Sequence, residues 1–474
     1  MSNGHLDRLS PTDASFVVQE RGPAHMHIGG VMVFEGPPPP YEALLAQVEA
    51  RLHLVPRYRH KLAIPRFELG RPLWVHDSRF NLKYHVRHTA LPPPGSEDEL
   101  KRLTARIFSQ RLDRSKPLWE MYLVEGLEGG RFAISSKTHH ALIDGISGVD
   151  IMTLLFDMTR EVAATPPTAQ AWNPEREPTQ AEIAAAAARD GLGTLLEVAG
   201  SAVRAVRDPL GTFGVVREAA EGLGEVLLAG LDPAPPSPLN GPIGSHRNVT
   251  WVKNRLDDFK EVKNALGGTL NDVVLAVVSG ALARWLRGRG VRTEGLELKA
   301  GVPVSVRAEQ EHNQLGNRIT LLIGPLPVYC DDPVERLRIV SHAMRDLKES
   351  KQALGAQMII GLERFAPPTL FAQASRLHFS PRFTNLTVTN VPGPQFPLYF
   401  LGRELLEMAP VGFLADGFRM IVAIVSYNGQ LTFGLMGDYD SLPDLEAIAQ
   451  HLRDALAELV AAAQEVAATA GEHA

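Results

Sequence analysis

Apolar residues along the chain fall into two kinds of pattern. Met26 to Glu35 reads as a strand, closed by Pro37 to Pro40. Beyond those prolines Leu44, Leu45, Val48 and Leu52 recur three and four residues apart, which predicts a helix with one buried face. Leu91 to Ser96 makes a further Pro/Gly loop. Trp119 to Leu127 and Arg131 to Thr138 are apolar-rich runs around Glu128-Gly129-Gly130, the pattern of a hairpin. In the second half, Thr269 with Asp272 three residues on resembles a capping box. It opens a predicted helix with Val273, Val274, Val277, Val278, Leu282, Trp285 and Leu286, which Gly288 and Gly290 can stop. Strand-like runs follow at Leu298 to Val304, Ile319 to Pro325, Leu386 to Asn390, Ile421 to Ser426 and Leu431 to Met436. A last helix from Pro443 to about Ala468 buries Leu445, Ile448, Leu452, Leu456 and Leu459.

Both halves mix strands and helices, so the expected fold class is α/β with two lobes. The expected division is an N-terminal lobe over 1–163, a connector over 164–247 and a C-terminal lobe over 248–474. The connector is Pro-rich at its ends and Ala-rich between, with helical spacing at Leu192, Leu195, Leu196, Val198 and Val203. Glu197, Glu218, Glu221 and Glu225 offset Arg204, Arg207 and Arg217 there, which favours a packed connector over a helix lying on lipid.

Composition narrows the function classes. Length alone, at roughly 150 residues per domain, allows about three domains. The 48 basic and 54 acidic residues give a net charge of −6, which lacks the basic stripe of a nucleic-acid binder. One cysteine, Cys330, excludes an internal disulfide framework and a multi-cysteine metal site, and points to a reducing, cytoplasmic setting. Met1 to Leu9 lacks the order of a secretory signal, and no run reaches the ~18 apolar residues of a membrane span.

Chemistry concentrates at Thr138-His139-His140-Ala141-Leu142-Ile143-Asp144-Gly145, directly after the second hairpin strand. Neighbours in a strand point to opposite faces, so one histidine should face a cleft and the other the protein body. A neutral imidazole can take a proton from a hydroxyl, Asp144 can fix local geometry, and Gly145 permits a tight reversal. Acyl transfer without a protein nucleophile fits this set. Three other readings compete. The histidines could be satisfied structural residues. His140 and Asp144 could ligate a metal with His76, His85 or His88, although nothing fixes the approach of those three. A Ser-His-Asp hydrolase would need a G-x-S-x-G elbow, which the chain lacks, and Ser147 reads as a helix cap.

His139-His140-Ala141-Leu142-Ile143-Asp144-Gly145 resembles the HHxxxDG motif of CoA-dependent acyltransferases related to chloramphenicol acetyltransferase and peptide-synthetase condensation domains. Further motifs are similar to those of the bacterial wax ester synthase/diacylglycerol acyltransferase family. These are Leu9-Ser10-Pro11-Thr12-Asp13-Ala14-Ser15-Phe16 with Met26-His27, Pro117-Leu118-Trp119 after Leu112-Asp113-Arg114, Asn271-Asp272, and Asn390-Val391-Pro392-Gly393-Pro394.

The resemblance implies two similar lobes, chloramphenicol acetyltransferase-like, with the active site at their interface. It implies His140 as general base, acting on the hydroxyl of a long-chain alcohol or diacylglycerol, and acyl-CoA as co-substrate with neither metal nor cofactor. His139, Asp144 and Gly145 would give structural support, Asp144 through an unidentified arginine. Asn271 is a candidate oxyanion donor or a helix cap. Pro117, Leu118, Trp119, Asp272, Asn390, Pro392 and Gly393 are carried over as substrate-binding positions, with Trp119 also a core candidate and the Asn390 to Pro394 loop also a rigid turn. Arg307 and Arg318 are candidate contacts for CoA phosphate, or solvated surface. The partners implied are acyl-CoA and a lipid acceptor, with peripheral attachment to a membrane or lipid droplet. The alternatives are a different acceptor (amine, sugar or carrier-bound group) or a catalytically silent lipid-binding protein.

Overall fold

The computed structural model describes residues 7–65, 71–142, 155–161, 172–186, 233–305, 319–349 and 380–472. Asp144, Gly145, Ser147, Arg307, Arg318 and most of the Ala-rich connector lie outside the described residues.

The first lobe is built on a six-stranded sheet. Its N-terminal members are β2 (His27–Phe34), β5 (Val86–Ala90), β6 (Trp119–Glu125) and β7 (Phe132–His139). The predicted hairpin is β6–β7, antiparallel, with Trp119 opposite Thr138, and β2 lies on the other side of β7 with His27 opposite His139. A small satellite sheet holds β1 (Asp7–Arg8), β3 (His60–Ala63) and β4 (Leu73–His76), and Ile183 of the connector packs on Leu73 and Val75 there. The helices of this lobe are α1 (Pro11–Gln19), α2 (Tyr41–Arg51), the single turn α3 (Leu82–His85) and α4 (Glu97–Ser109).

The second lobe is a six-stranded sheet of β8 (Arg247–Arg255), β9 (Leu298–Ser305), β10 (Ile319–Leu326), β11 (Leu386–Pro392), β14 (Met420–Tyr427) and β15 (Gln430–Asp438), in the order β10-β9-β11-β14-β15-β8. Its core also includes α5 (Leu256–Leu266), α6 (Leu270–Gly288), α7 (Pro333–Glu349) and α8 (Leu445–Glu472). Every residue of β14 is buried, which fits a central strand whose apolar run does not alternate. The Thr269/Asp272 capping box forms at the start of α6, as the spacing predicts. No single described helix is long and apolar enough to cross a membrane; α5 and α6 together pass that test but meet at a 101° bend, and α6 is buried along most of its length.

Sheet membership does not follow chain order. After β11 the chain leaves the second sheet, and β12 (Tyr399–Phe400) and β13 (Arg403–Val411) extend the first one, giving the order β12-β13-β2-β7-β6-β5. The chain then returns to the second sheet at β14. At the crossing a side chain on Gly434 would meet the Pro410 carbonyl oxygen at 1.8 Å, so only glycine lets β13 lie this close to β15. A second seam joins α4 to β8: Arg247, almost fully buried, donates its backbone N–H to Ser109 Oγ (2.9 Å) and its guanidinium N–H groups to the carbonyls of Gly244 (2.7 Å), His246 (3.0 Å) and Pro23.

Candidate active site

β7 ends at His139, and a 3-10 turn over His140–Leu142 begins immediately. The two histidines diverge because the strand stops between them. Their backbones are pinned separately: His139 N–H donates to Leu118 O (2.9 Å) and His140 N–H to Met26 O (2.8 Å). Leu118, of the Pro-Leu-Trp motif, thus meets the histidine pair through its carbonyl.

His139 turns into the protein body and is 1% exposed. Its Nδ1 accepts Ala141 N–H at 3.0 Å, so the neutral ring carries its proton on Nε2. That nitrogen lies 3.4 Å from Glu20 Oε2, at an angle too poor for a full hydrogen bond. His27 Nε2 lies 3.5 Å from the other Glu20 oxygen. Arg114 holds the same carboxylate through Nε (2.9 Å) and Nη2 (2.6 Å), and its Nη2 also donates to Val17 O (3.0 Å). Burial would raise the Glu20 pKa, but the polar contacts of His139 and His27 and the charge of Arg114 outweigh it and hold the carboxyl well below the usual range. Glu20 stays ionised and faces both histidines.

His140 has different surroundings. Its imidazole stacks on Phe16 of α1, with centroids 3.9 Å apart, and meets the edge of Phe413 at 5.7 Å. Phe413 stands on the link between β13 and β14, so the ring is held at the junction of the lobes. Burial, with the neighbouring His139 adding to it, lowers the His140 pKa to about 4. At neutral pH this ring is an uncharged proton acceptor. Its Nδ1 is buried without a hydrogen-bond partner among the described residues.

The remaining sequence candidates are placed elsewhere. Trp119 is core: its indole N–H donates to Tyr58 O (2.8 Å) and its ring stacks on His85 at 4.7 Å. Pro117 is buried beside it. Asp272 is buried and its Oδ2 accepts Thr269 N–H at 2.8 Å, closing the capping box, while Asn271 stands half-buried in the first turn of α6. No described contact joins either residue to the histidines. Asn390 is half-buried in β11, Pro392 is exposed, and Gly393 begins the bridge to β12. A side chain on Gly393 would meet Ser426 O at 2.2 Å, and Gln395 ties the loop down by donating to Gly393 O (3.0 Å) and Ser426 Oγ (3.1 Å). His76 stacks on His60, and His88 on Tyr41, away from His140. Among the described residues no three His, Cys, Asp or Glu side chains are grouped to hold a metal ion.

Glu20, Phe413 and the role of Arg114 were not legible in the pattern. Arg114 precedes the Pro-Leu-Trp motif and Glu20 follows the N-terminal motif, but the pairing joins residues 94 positions apart.

The arrangement is a two-lobe fold of mixed sheets and helices with a histidine pair at the junction, and the class it belongs to is that of the acyltransferases. The chain matches the wax ester synthase/diacylglycerol acyltransferase catalytic domain over residues 9–274 and the WS/DGAT C-terminal domain over 315–460, and it belongs to that family. It is 35% identical over 462 residues to the probable diacylglycerol O-acyltransferase tgs1 of Mycobacterium tuberculosis, covering 96% of each chain. It is 33% identical to tgs2 of the same organism, covering 96% of this chain and 99% of that one. Among solved structures it is similar to the wax ester synthase/diacylglycerol acyltransferase from Marinobacter aquaeolei VT8, with a TM-score of 0.68, 29% identity and coverage of 96% and 100%. The first condensation domain of the CDA synthetase shares the fold, with a TM-score of 0.58, 17% identity and 97% coverage of each chain.

Proposed function

We propose that the protein transfers a fatty acyl group from acyl-CoA to the hydroxyl of diacylglycerol or a long-chain alcohol, with His140 as general base. The observation that carries this reading is the neutral His140 imidazole, packed against Phe16 and Phe413 at the junction of the lobes. The diacylglycerol O-acyltransferase names of the relatives supply the reaction class. His140 Nε2 accepts the acceptor's hydroxyl proton as its oxygen attacks the thioester carbon. The C–O bond forms, the C–S bond breaks, and the proton passes from His140 to the departing CoA sulfur. His139, facing Glu20, positions the turn that carries His140. Asn271 and the Asn390 to Gly393 loop enter this reading as substrate-side positions contributed by the second lobe.

The acceptors are water-insoluble, so the reading extends to transient contact with a membrane or lipid-inclusion surface in the cytoplasm. Exposed Met158 and Phe396 support it. Both lie close in sequence to Asp157 and Tyr399, which pair by backbone hydrogen bonds of 2.8 and 2.9 Å.

His140→Ala should leave the unfolding midpoint in place and lower acceptor-dependent CoA release about 10²- to 10⁴-fold, the range of a lost general base. Near wild-type turnover in that variant would refute the mechanism. Release of CoA with amine but not alcohol acceptors would change the substrate class.

A further inference from the structure

An open cleft of about 590 Å³ lies at the α4–β8 seam, lined by Gly22, Pro23, His25, Ser109 and Arg111 from the first lobe and by Ile243, Gly244 and Ser245 from the second. It lies close behind the active site. His25 precedes Met26, whose carbonyl holds His140, and its ring is 5.3 Å from that of His27, which contacts Glu20.

The lining carries one exposed cation and an incompletely satisfied polar ring. Arg111 is exposed and makes no hydrogen bond or ion pair with the described residues. His25 is 7% exposed, yet its Nδ1 has no hydrogen-bond partner among them. Burial lowers the His25 pKa to about 3, and the positive fields of His27, Arg247 and Arg111 act in the same direction. Two carboxylates stand behind Gly244. Asp438 accepts Gly244 N–H at 2.6 Å and Ser441 N–H at 3.0 Å, and Asp440 lies 3.0 Å from the point where a Gly244 side chain would stand. Asp438 is thus engaged by backbone donors. A buried polar ring beside a free guanidinium, in a cleft open to solvent, is suited to an anion with several acceptor oxygens.

We propose that this cleft is the subsite for the phosphate groups of the acyl-CoA co-substrate, with Arg111 as its cation, Ser245 as a hydroxyl donor and His25 as its hydrogen-bonding floor. The proposal rests on the acyl-CoA reading above. The chemistry fits a ligand with two separated parts: the thioester must reach His140 in its apolar surroundings, whereas the phosphates need a wet, cationic site at the seam. Both lobes contribute to the cleft, so a bound phosphate would also hold the seam closed.

The test uses the full chain and adenosine 3′,5′-bisphosphate as the probe in titration calorimetry, followed by kinetics of Arg111→Glu. The wild-type protein should bind the bisphosphate, and the variant should bind it about tenfold or more weakly, the scale of a lost charge-assisted hydrogen bond. KM for acyl-CoA should rise by a similar factor with kcat within twofold, while kcat/KM for the matching acyl-pantetheine, which lacks these phosphates, should not change. Arg111→Lys should restore part of the bisphosphate binding. No bisphosphate binding by the wild type would overturn the proposal, and so would equal loss of the two thioesters, which is the mark of a structural role. Binding to phosphatidate vesicles that is lost in Arg111→Glu, with bisphosphate binding intact, would assign the cleft to a lipid headgroup instead. A wild-type protein that binds the bisphosphate but releases no CoA from acyl-CoA would refute the acyltransfer reading and leave the anion site standing.

Discussion

His139 and His140 are adjacent in sequence and opposite in environment. One sits in an ionic cluster with Glu20, His27 and Arg114; the other packs against two phenylalanines. In the proposed mechanism these apolar contacts set the pH range in which His140 can act as the base. With the His140 pKa lowered to about 4, the ring is neutral above that value and becomes protonated as pH falls through it. Activity should therefore persist through pH 6 and decline toward pH 4 in kcat/KM, which reports the free enzyme. Phe413→Leu removes one of these contacts, weakens the desolvation of the imidazolium and should move that acid limb upward toward about pH 6.5, the ordinary histidine value. A pH–rate profile of the two proteins checks it, and an unmoved limb would show that these contacts do not tune the base. The Glu20 carboxylate works differently. Glu20→Gln removes the anion that faces His139 and His27, so kcat should fall while the acid limb of the profile stays near its wild-type position.

At the scale of elements, the motifs divide into those that shape chain and those that bear on the histidines. The Thr269/Asp272 capping box satisfies the first N–H groups of α6, a helix buried along most of its length. Thr269→Ala should cost about 1 kcal/mol, read from chemical denaturation. The β6–β7 hairpin, β2, α2, α6, β14, β15 and α8 could be read from apolar spacing because each hides one face or a whole run from water. β8, α4, α5, α7 and β13 are not among the elements that the spacing predicts. In β13, Arg403, Glu404, Glu407 and Met408 are half-buried, and the strand owes its place to pairing with β2 across hundreds of residues. Spacing within a segment carries no record of such a partner. The same limit hid Glu20 and Arg114, which are ordinary charged residues until folding buries one against the other.

Two mixed six-stranded sheets dominate the molecule and exchange chain twice, out through the segment that begins at Gly393 and back past Phe413. The sheets match in strand number but not in direction. β5 is the parallel edge partner of β6 in the first sheet, whereas β11 runs parallel to both β9 and β14 inside the second. The returning strand makes the lobes interdependent, because β13 belongs to one sheet and lies against β15 of the other at Gly434. Gly434→Ala drives a methyl into the Pro410 carbonyl and should destabilise the protein by about 1–3 kcal/mol or more, the cost of overpacking. The unfolding midpoint should drop, and activity should fall with it at temperatures where the variant is still folded, because the same link carries Phe413. The sequence by itself determined the mixed α/β character, the histidine pair proposed as the site and the family to which the chain belongs, because these reside in local spacing and contiguous motifs. Tertiary structure alone decided that Glu20, held by Arg114, faces His139, that Phe16 and Phe413 pack against His140, and that C-terminal strands complete the N-terminal sheet. Those facts depend on which distant residues are desolvated together, and desolvation is a property of the packed molecule.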